Sequence, residues 1–173
     1  MTDTNQHRLY CEAGDKFAPA IARLSRAMER DPDRARELEQ DIHCELFHSL
    51  ARFEGRSSLK TWVFRVAHNV AAEHRLRASR RPQPVALEDI AELPVPGDAE
   101  TMTGEALAVA RAMALVRQLP TLDAQVFLLW LEGESAGDIA DVTGLGASAV
   151  ATRVHRLKSL IAGHFNDQSG ENQ

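Results

Sequence analysis

Apolar residues recur along this chain at helical spacing, and no segment of useful length shows the period of a strand. Phe17, Ile21, Leu24 and Met28 stand three or four apart and predict a helix over 17–28. Asp31-Pro32-Asp33 breaks it, and Pro32 suits the first turn of whatever follows. The next helix is predicted over 34–52, from Leu38, Ile42, Leu46, Phe47 and Leu50, with Phe53 just beyond. Its other side is acidic and polar: Glu37, Gln40, Asp41 and Glu45. Gly55 ends the pattern, and Ser58 suits the N-cap of a third helix. Leu59, Trp62, Val63, Val66 and Val70 form that helix's apolar stripe, whereas Arg65, His68, Asn69 and Arg75 fall mainly on other faces. The helix frays through 77–81 and stops before Pro82.

The second half repeats the helical theme after an interruption. Residues 82–104 hold Pro82, Pro84, Pro94, Pro96, Gly97 and Gly104 among acids, which favours an extended, poorly packed linker. Stretched out, such a segment reaches about 75 Å at about 3.3 Å per residue, ample for two turns of duplex at about 70 Å. Helices are predicted over 105–119, 123–132, 136–143 and 147–162, with Leu119-Pro120, Gly133 and Gly144-Leu145-Gly146 between them and Ser135 as a cap. The fold expected is all-α. Two small helical domains, 1–81 and 105–165, are joined by a flexible linker, 82–104, and followed by a disordered tail, 166–173.

Bulk composition narrows the class. The chain has 173 residues, 44% hydrophobic and 26% charged, as in a soluble protein. No apolar run approaches the roughly 18 residues of a membrane span, and residues 1–15 have no signal-peptide pattern. Cys11 and Cys44 give no disulfide framework and fit a reducing compartment, so a cytoplasmic location is expected. The net charge is -5, yet Arg52, Arg56, Lys60, Arg65, Arg75, Arg77, Arg80 and Arg81 crowd into 52–81 against only Glu54 and Glu73. Local field rather than total charge steers a polyanion. A solvated helix face explains such a run equally well on charge alone.

Two constellations carry candidate chemistry. Ala140, Gly144 and Val150 have helix-turn-helix spacing: a small residue at the crossing, a turn glycine, and an apolar residue seating the second helix. Ile139, Val142, Leu145, Val154 and Leu157 complete the seat, and Ser148, Thr152, Arg153, Arg156 and Lys158 would meet duplex DNA. The bland alternative is an ordinary αα-hairpin. The second constellation runs from Arg52 into the helix after Ser58. Single strands are held by a cationic groove with stacking surfaces, and Phe53, Trp62, His68 and Asn69 lie near the cations. Trp62 sits on the apolar stripe and reads as core before it reads as a base contact. Cys44 and His48 are spaced i, i+4, with His43 adjacent and Cys11 and His7 elsewhere. A zinc or redox-sensing site could be built from these, but the spacing lacks a second paired half, so no metal site is expected, and Cys44 reads first as a small buried hydrophobe. No nucleophile–base pair, phosphate loop or cofactor motif is present, so neither an enzyme nor a cofactor is expected.

These stretches resemble a family. The run Ala35-Arg36-Glu37-Leu38-Glu39-Gln40-Asp41, the block Arg52-Phe53-Glu54-Gly55-Arg56-Ser57-Ser58-Leu59-Lys60-Thr61-Trp62 and its continuation Val63 to Asn69 are similar to the bacterial extracytoplasmic-function (ECF) sigma factors. So are Leu119-Pro120, Val126 to Leu129, Leu131 to Ser135, Asp138-Ile139-Ala140 and Val150 to Leu160, in the family's order. The resemblance implies an alternative sigma factor that binds core RNA polymerase, recognises two upstream promoter elements and promotes strand opening. Glu37, Gln40 and Asp41 would dock on the clamp helices of the polymerase's largest subunit. Arg52, Phe53, Arg56, Ser57, Ser58, Lys60, Trp62, Arg65, His68, Asn69 and Arg75 would hold the melted strand, with one base flipped into the loop. Ser148, Thr152, Arg153, Arg156 and Lys158 would read the distal element as duplex. The linker would thread toward the RNA exit path, and an anti-sigma factor would hold the chain inactive. Departures from the pattern fall at Gly146, Ala147, Ala149 and Ala151, which thin the reading surface, and at Leu122 and Ala124, where basic residues are common. The rival readings are a stand-alone helix-turn-helix regulator of duplex operators and a mimic that titrates an anti-sigma factor.

Overall fold

A computed structural model describes residues 2–78 and 103–167 and forms seven α-helices and no strand among them. They are α1 (Thr2–Met28), α2 (Pro32–Leu50), α3 (Leu59–Ala78), α4 (Gly104–Gln118), α5 (Thr121–Leu131), α6 (Ala136–Thr143) and α7 (Ala147–Asp167). The linker expected over 82–104 lies outside the described residues except for Thr103 and Gly104, and so do positions 168–173 of the expected tail.

Local signals set the boundaries. Asp31 caps α2 by accepting from the backbone N–H groups of Asp33 and Arg34 at 2.9 and 3.1 Å, with Pro32 in the first turn. Ser58 Oγ accepts from the Thr61 N–H at 3.0 Å and starts α3. Ser135 and Asp138 form a reciprocal capping box on α6. Gly144 ends α6 at φ +77°, a left-handed conformation that costs glycine nothing.

α1 differs most from the sequence expectation. It begins at Thr2 rather than near Phe17. Its added turns bury Leu9 and Ala13, and Tyr10 meets Phe47 edge-on at 5.4 Å while its hydroxyl lies 3.2 Å from His43 Nδ1. α7 likewise runs five residues past the expected Ala162.

α1, α2 and α3 pack around Ile21, Leu24, Leu38, Ile42, Leu46 and Val63. α4 to α7 pack around Leu119, Val126, Leu129, Ile139, Val150 and Leu157. The two units do not stand apart. α3 lies against α5 and α6, α1 lies against α4, and their buried apolar residues form one contiguous cluster. α3 is therefore covered on more sides than a single stripe suggests. Its fully buried positions are Thr61, Val63, Phe64, Ala67, His68 and Ala71, while Leu59, Trp62, Val66 and Val70 are only partly covered.

Candidate nucleic-acid interface

The loop from Arg52 to Ser58 turns back at Gly55, whose φ of +73° is a left-handed value. Phe53 packs edge-on against Trp62 at 5.4 Å, and the Trp62 indole N–H donates to Ser49 Oγ at 3.1 Å. Trp62 is thus half core and half surface: its ring is fixed by α2, and one face lines a groove between α2 and α3. That groove encloses about 720 Å³. Arg52, Trp62, Arg65 and Asn69 line it together with Asp41, Cys44 and Glu73. A fixed indole, guanidinium groups and an amide in one open channel are the parts a single strand needs: stacking surface, phosphate partners and hydrogen bonds to base edges.

The other residues expected to hold the strand fall in different places. Arg56 is exposed and pairs with Glu54 at 2.6 Å, beside Ser57 and Ser58 in the turn. Lys60 reaches across to Glu134 at 2.9 Å, a hydrogen bond that raises its pKa. Arg65 donates to the carbonyl of Asp141 at 2.8 Å while still lining the groove. His68 and Arg75 correct the expectation of a free helix face. His68 is buried against the second unit, burial holds its pKa down to about 3, and its Nδ1 has no hydrogen-bond partner. Arg75 donates to the carbonyls of Arg117 and Leu119 at 2.6 and 2.7 Å, and burial lowers its pKa too.

On α2, Glu37, Gln40 and Asp41 are all exposed, opposite the buried Leu38 and Ile42. Asp41 also lines the groove, so the face expected to dock and the groove expected to hold a strand share a wall. Cys44 is exposed rather than a buried hydrophobe, with its Sγ 3.9 Å from His48 Nδ1. The spacing put it on the helix, but its angular position puts it at the groove. Cys11 and His7 form a separate pair at 3.7 Å on α1. Among the described residues no three His, Cys, Asp or Glu side chains gather into a group that could hold a metal ion.

The helix-turn-helix is formed by α6 and α7. Ile139, Val142, Val150 and Leu157 are buried, and Ala140, Leu145 and Val154 are partly so. Ser148, Thr152 and Arg156 are exposed and lie within about 80° of one another on α7 at 100° per residue. Arg153 and Lys158 diverge from that face. Arg153 is ion-paired to Asp123 at the start of α5, and Lys158 Nζ sits 4.7 Å from the Trp130 ring centroid. Sequence spacing grouped five residues, and packing within the unit separates them into three and two.

Comparison with known proteins matches residues 15–81 to Sigma-70 region 2 and residues 110–161 to Sigma-70, region 4. The RNA polymerase sigma-H factor of Pseudomonas aeruginosa is 27% identical over 84% of this chain and 80% of its own length. The ECF RNA polymerase sigma-E factor of Haemophilus influenzae is 27% identical over 72% of this chain and 71% of its own. The ECF RNA polymerase sigma factor SigC of Mycobacterium tuberculosis is 29% identical over 76% and 70%. The structure of CnrH in complex with the cytosolic domain of CnrY shares the fold, with a TM-score of 0.68 and 20% identity over 96% of this chain and 93% of that one. Two sigma-70 regions follow one another in a single all-helical chain, and the chain belongs to the ECF-type sigma factors, which bind core RNA polymerase and promoter DNA to initiate transcription.

Proposed function

We propose that the chain divides the work of initiation among three surfaces. The exposed face of α2, with Glu37, Gln40 and Asp41, docks on the clamp helices of the polymerase. The groove between α2 and α3 holds the melted non-template strand, with Arg52, Trp62, Arg65 and Asn69 in direct contact and the Phe53–Ser58 loop taking a flipped base. Ser148, Thr152 and Arg156 on α7 read the distal promoter element as duplex. The domains are 1–81 for docking and melting and 105–165 for duplex reading, with 82–104 as their connection. The chain works in the cytoplasm and catalyses no reaction of its own. Among the described residues no helix is long and apolar enough to cross a membrane.

One observation carries this reading: the groove joins a fixed indole and the guanidinium groups of Arg52, Arg65 and Arg77 to the helix that bears the acidic docking face. Unstacking and flipping a base cost a few kcal/mol, so contacts made only to the open strand drive the opening. CnrH, which shares the fold, is found bound to the cytosolic domain of CnrY, which supports a protein partner of that kind, an anti-sigma factor, for this chain.

Transcription of a genomic DNA library by purified core polymerase, with and without this chain, tests the reading. New start sites sharing two upstream motifs are expected. Absence of chain-dependent starts, or tighter binding of the assembled complex to closed duplex than to a bubble, would remove it.

A further inference from the structure

Trp62 stands in the first turn of α3, where its backbone N–H donates to the carbonyl of Ser58 at 3.1 Å. That bond places the residue but not its ring. An aromatic ring turns about its Cβ–Cγ bond between two broad and roughly opposite wells. The edge contact with Phe53 at 5.4 Å is apolar and sets no direction for the indole N–H. Ser49 sets it. This residue lies in the last turn of α2, is 3% exposed, and donates its hydroxyl proton to the carbonyl of Leu46 at 2.9 Å. A serine hydroxyl has one proton to give and two lone pairs to offer, whereas an indole N–H can only donate. With its proton committed to Leu46, Ser49 Oγ presents lone pairs alone, and Trp62 Nε1 meets it at 3.1 Å. The backbone of α2 thereby fixes the polarity of the pair, and of the two ring orientations only one satisfies the N–H.

We propose that Ser49 is a positioning residue of the strand site: from α2 it locks the Trp62 ring with one face toward the groove, so that an unpaired base stacks on a surface already in place. The inference rests on the strand-site reading above, since a ring with no base to meet needs no aiming. Ser49 is buried and acts on the strand through the indole, without touching it. A surface fixed beforehand spares the ordering that a mobile side chain undergoes on binding. Stacking on an aromatic ring neutralises no phosphate, so Ser49 contributes to strand affinity and not to its salt dependence.

The test uses variants of the full chain, assembled with core polymerase on a fluorescein-labelled bubble duplex. Ser49→Ala is expected to lower bubble affinity about fivefold, the size of one ordinary hydrogen bond. The loss is expected at every salt concentration, with the slope of log affinity against log salt unchanged. Ser49→Thr keeps a hydroxyl that can donate to the carbonyl three residues back and is expected to restore binding. In a Trp62→Phe chain, which lacks the indole N–H, adding Ser49→Ala is expected to cost nothing more. Ser49→Cys fills the same space with a weak acceptor and repeats the alanine test should that chain fold poorly. The bond itself is read in the free chain from the indole N–H magnetic resonance of Trp62, told from that of Trp130 by Trp130→Phe. Removing the acceptor is expected to shift this resonance and speed its exchange with water, and threonine to return it. A resonance unmoved by Ser49→Ala overturns the bond. A shifted resonance with unchanged bubble affinity overturns the positioning role. So does an equal loss in the Trp62→Phe chain, or a changed salt slope, which would mean that the phosphate contacts themselves are distorted. Trp62→Phe and Arg52→Ala separate this role from the site it serves. Weaker bubble binding in these two, with none lost in Ser49→Ala, removes the positioning role alone. No loss in any of the three removes the strand-site reading.

Discussion

His68 is 4% exposed and its Nδ1 has no partner, so a proton added to this ring would have no compensation inside the fold. Its pKa falls from 6.5 to about 3 through burial alone. Between those values the unfolded chain takes up a proton that the folded chain refuses, so stability rises with pH. The stability is complete above about pH 6.5 and is lost progressively as the solution is acidified toward pH 3, by at most about 1.4 kcal/mol per pH unit. Asp31, held low by the backbone N–H groups of Arg34 and Asp33, and Asp138, held low by the Ser135 hydroxyl, act in the same direction but only near and below the ordinary aspartate range. Urea denaturation at pH 7.0 and pH 5.5 isolates the histidine. The wild type is expected to lose stability at the lower pH, and His68→Leu to lose markedly less. Equal losses in both chains would mean that His68 is hydrated. Nothing around His68 in the sequence announces this burial. Its covering residue Gln125 lies 57 positions away, and the partner of Arg65 lies 76 away. Ser58 and Ser135 were legible as caps because a cap is written within three residues of the group it satisfies, whereas the capping by Asp31 went unread beside the break at Pro32.

At the scale of elements, the turn between α6 and α7 decides how the helix proposed to read duplex is aimed. Gly144 holds φ at +77°, and a Cβ built there meets nothing within 4 Å. Gly144→Ala therefore adds no clash, and its cost is the left-handed backbone alone, about 1 kcal/mol. Asn tolerates that conformation, so Gly144→Asn is expected to recover most of the loss. Thermal unfolding of the three chains checks the order, and an alanine variant as stable as the wild type would show that the turn relaxes. This turn and the bounds of α6 were readable because glycine, cap and apolar spacing agree. The first half of α1 was not: Leu9 and Ala13 are its buried residues before Phe17, and polar neighbours hide a period carried by so few positions. The buried face of α3 was misread for a related reason. A helix gripped by α1, α2, α5 and α6 has no single stripe, and Phe64 and His68 belong to the side that the second unit covers.

For the whole molecule, the two sigma-70 regions were legible from block order, whereas their packing against each other was not, because it depends on ion pairs and carbonyl contacts between distant segments. That packing leaves the exposed face of α2 uncovered, with Gln40 and Asp41 open to solvent. Substitution there is expected to change folding stability by no more than about 0.5 kcal/mol. Gln40→Ala with Asp41→Ala is expected to weaken binding to core polymerase about tenfold, equivalent to about 1.4 kcal/mol. Arg52→Ala is expected to leave polymerase affinity unchanged and to lower bubble affinity of the assembled complex. Removing one phosphate contact to a single strand reduces the slope of log affinity against log salt by about 0.7. Asp41 and Arg52 line one groove, so a general distortion of that groove would move both measurements together. Separate responses, polymerase affinity for the α2 pair and salt slope for Arg52, distinguish two surfaces meeting at a shared wall from a single site. Fluorescence anisotropy with labelled polymerase and with labelled bubble DNA reads the two quantities independently, and undiminished polymerase binding by the α2 variant would take the docking role away from that helix.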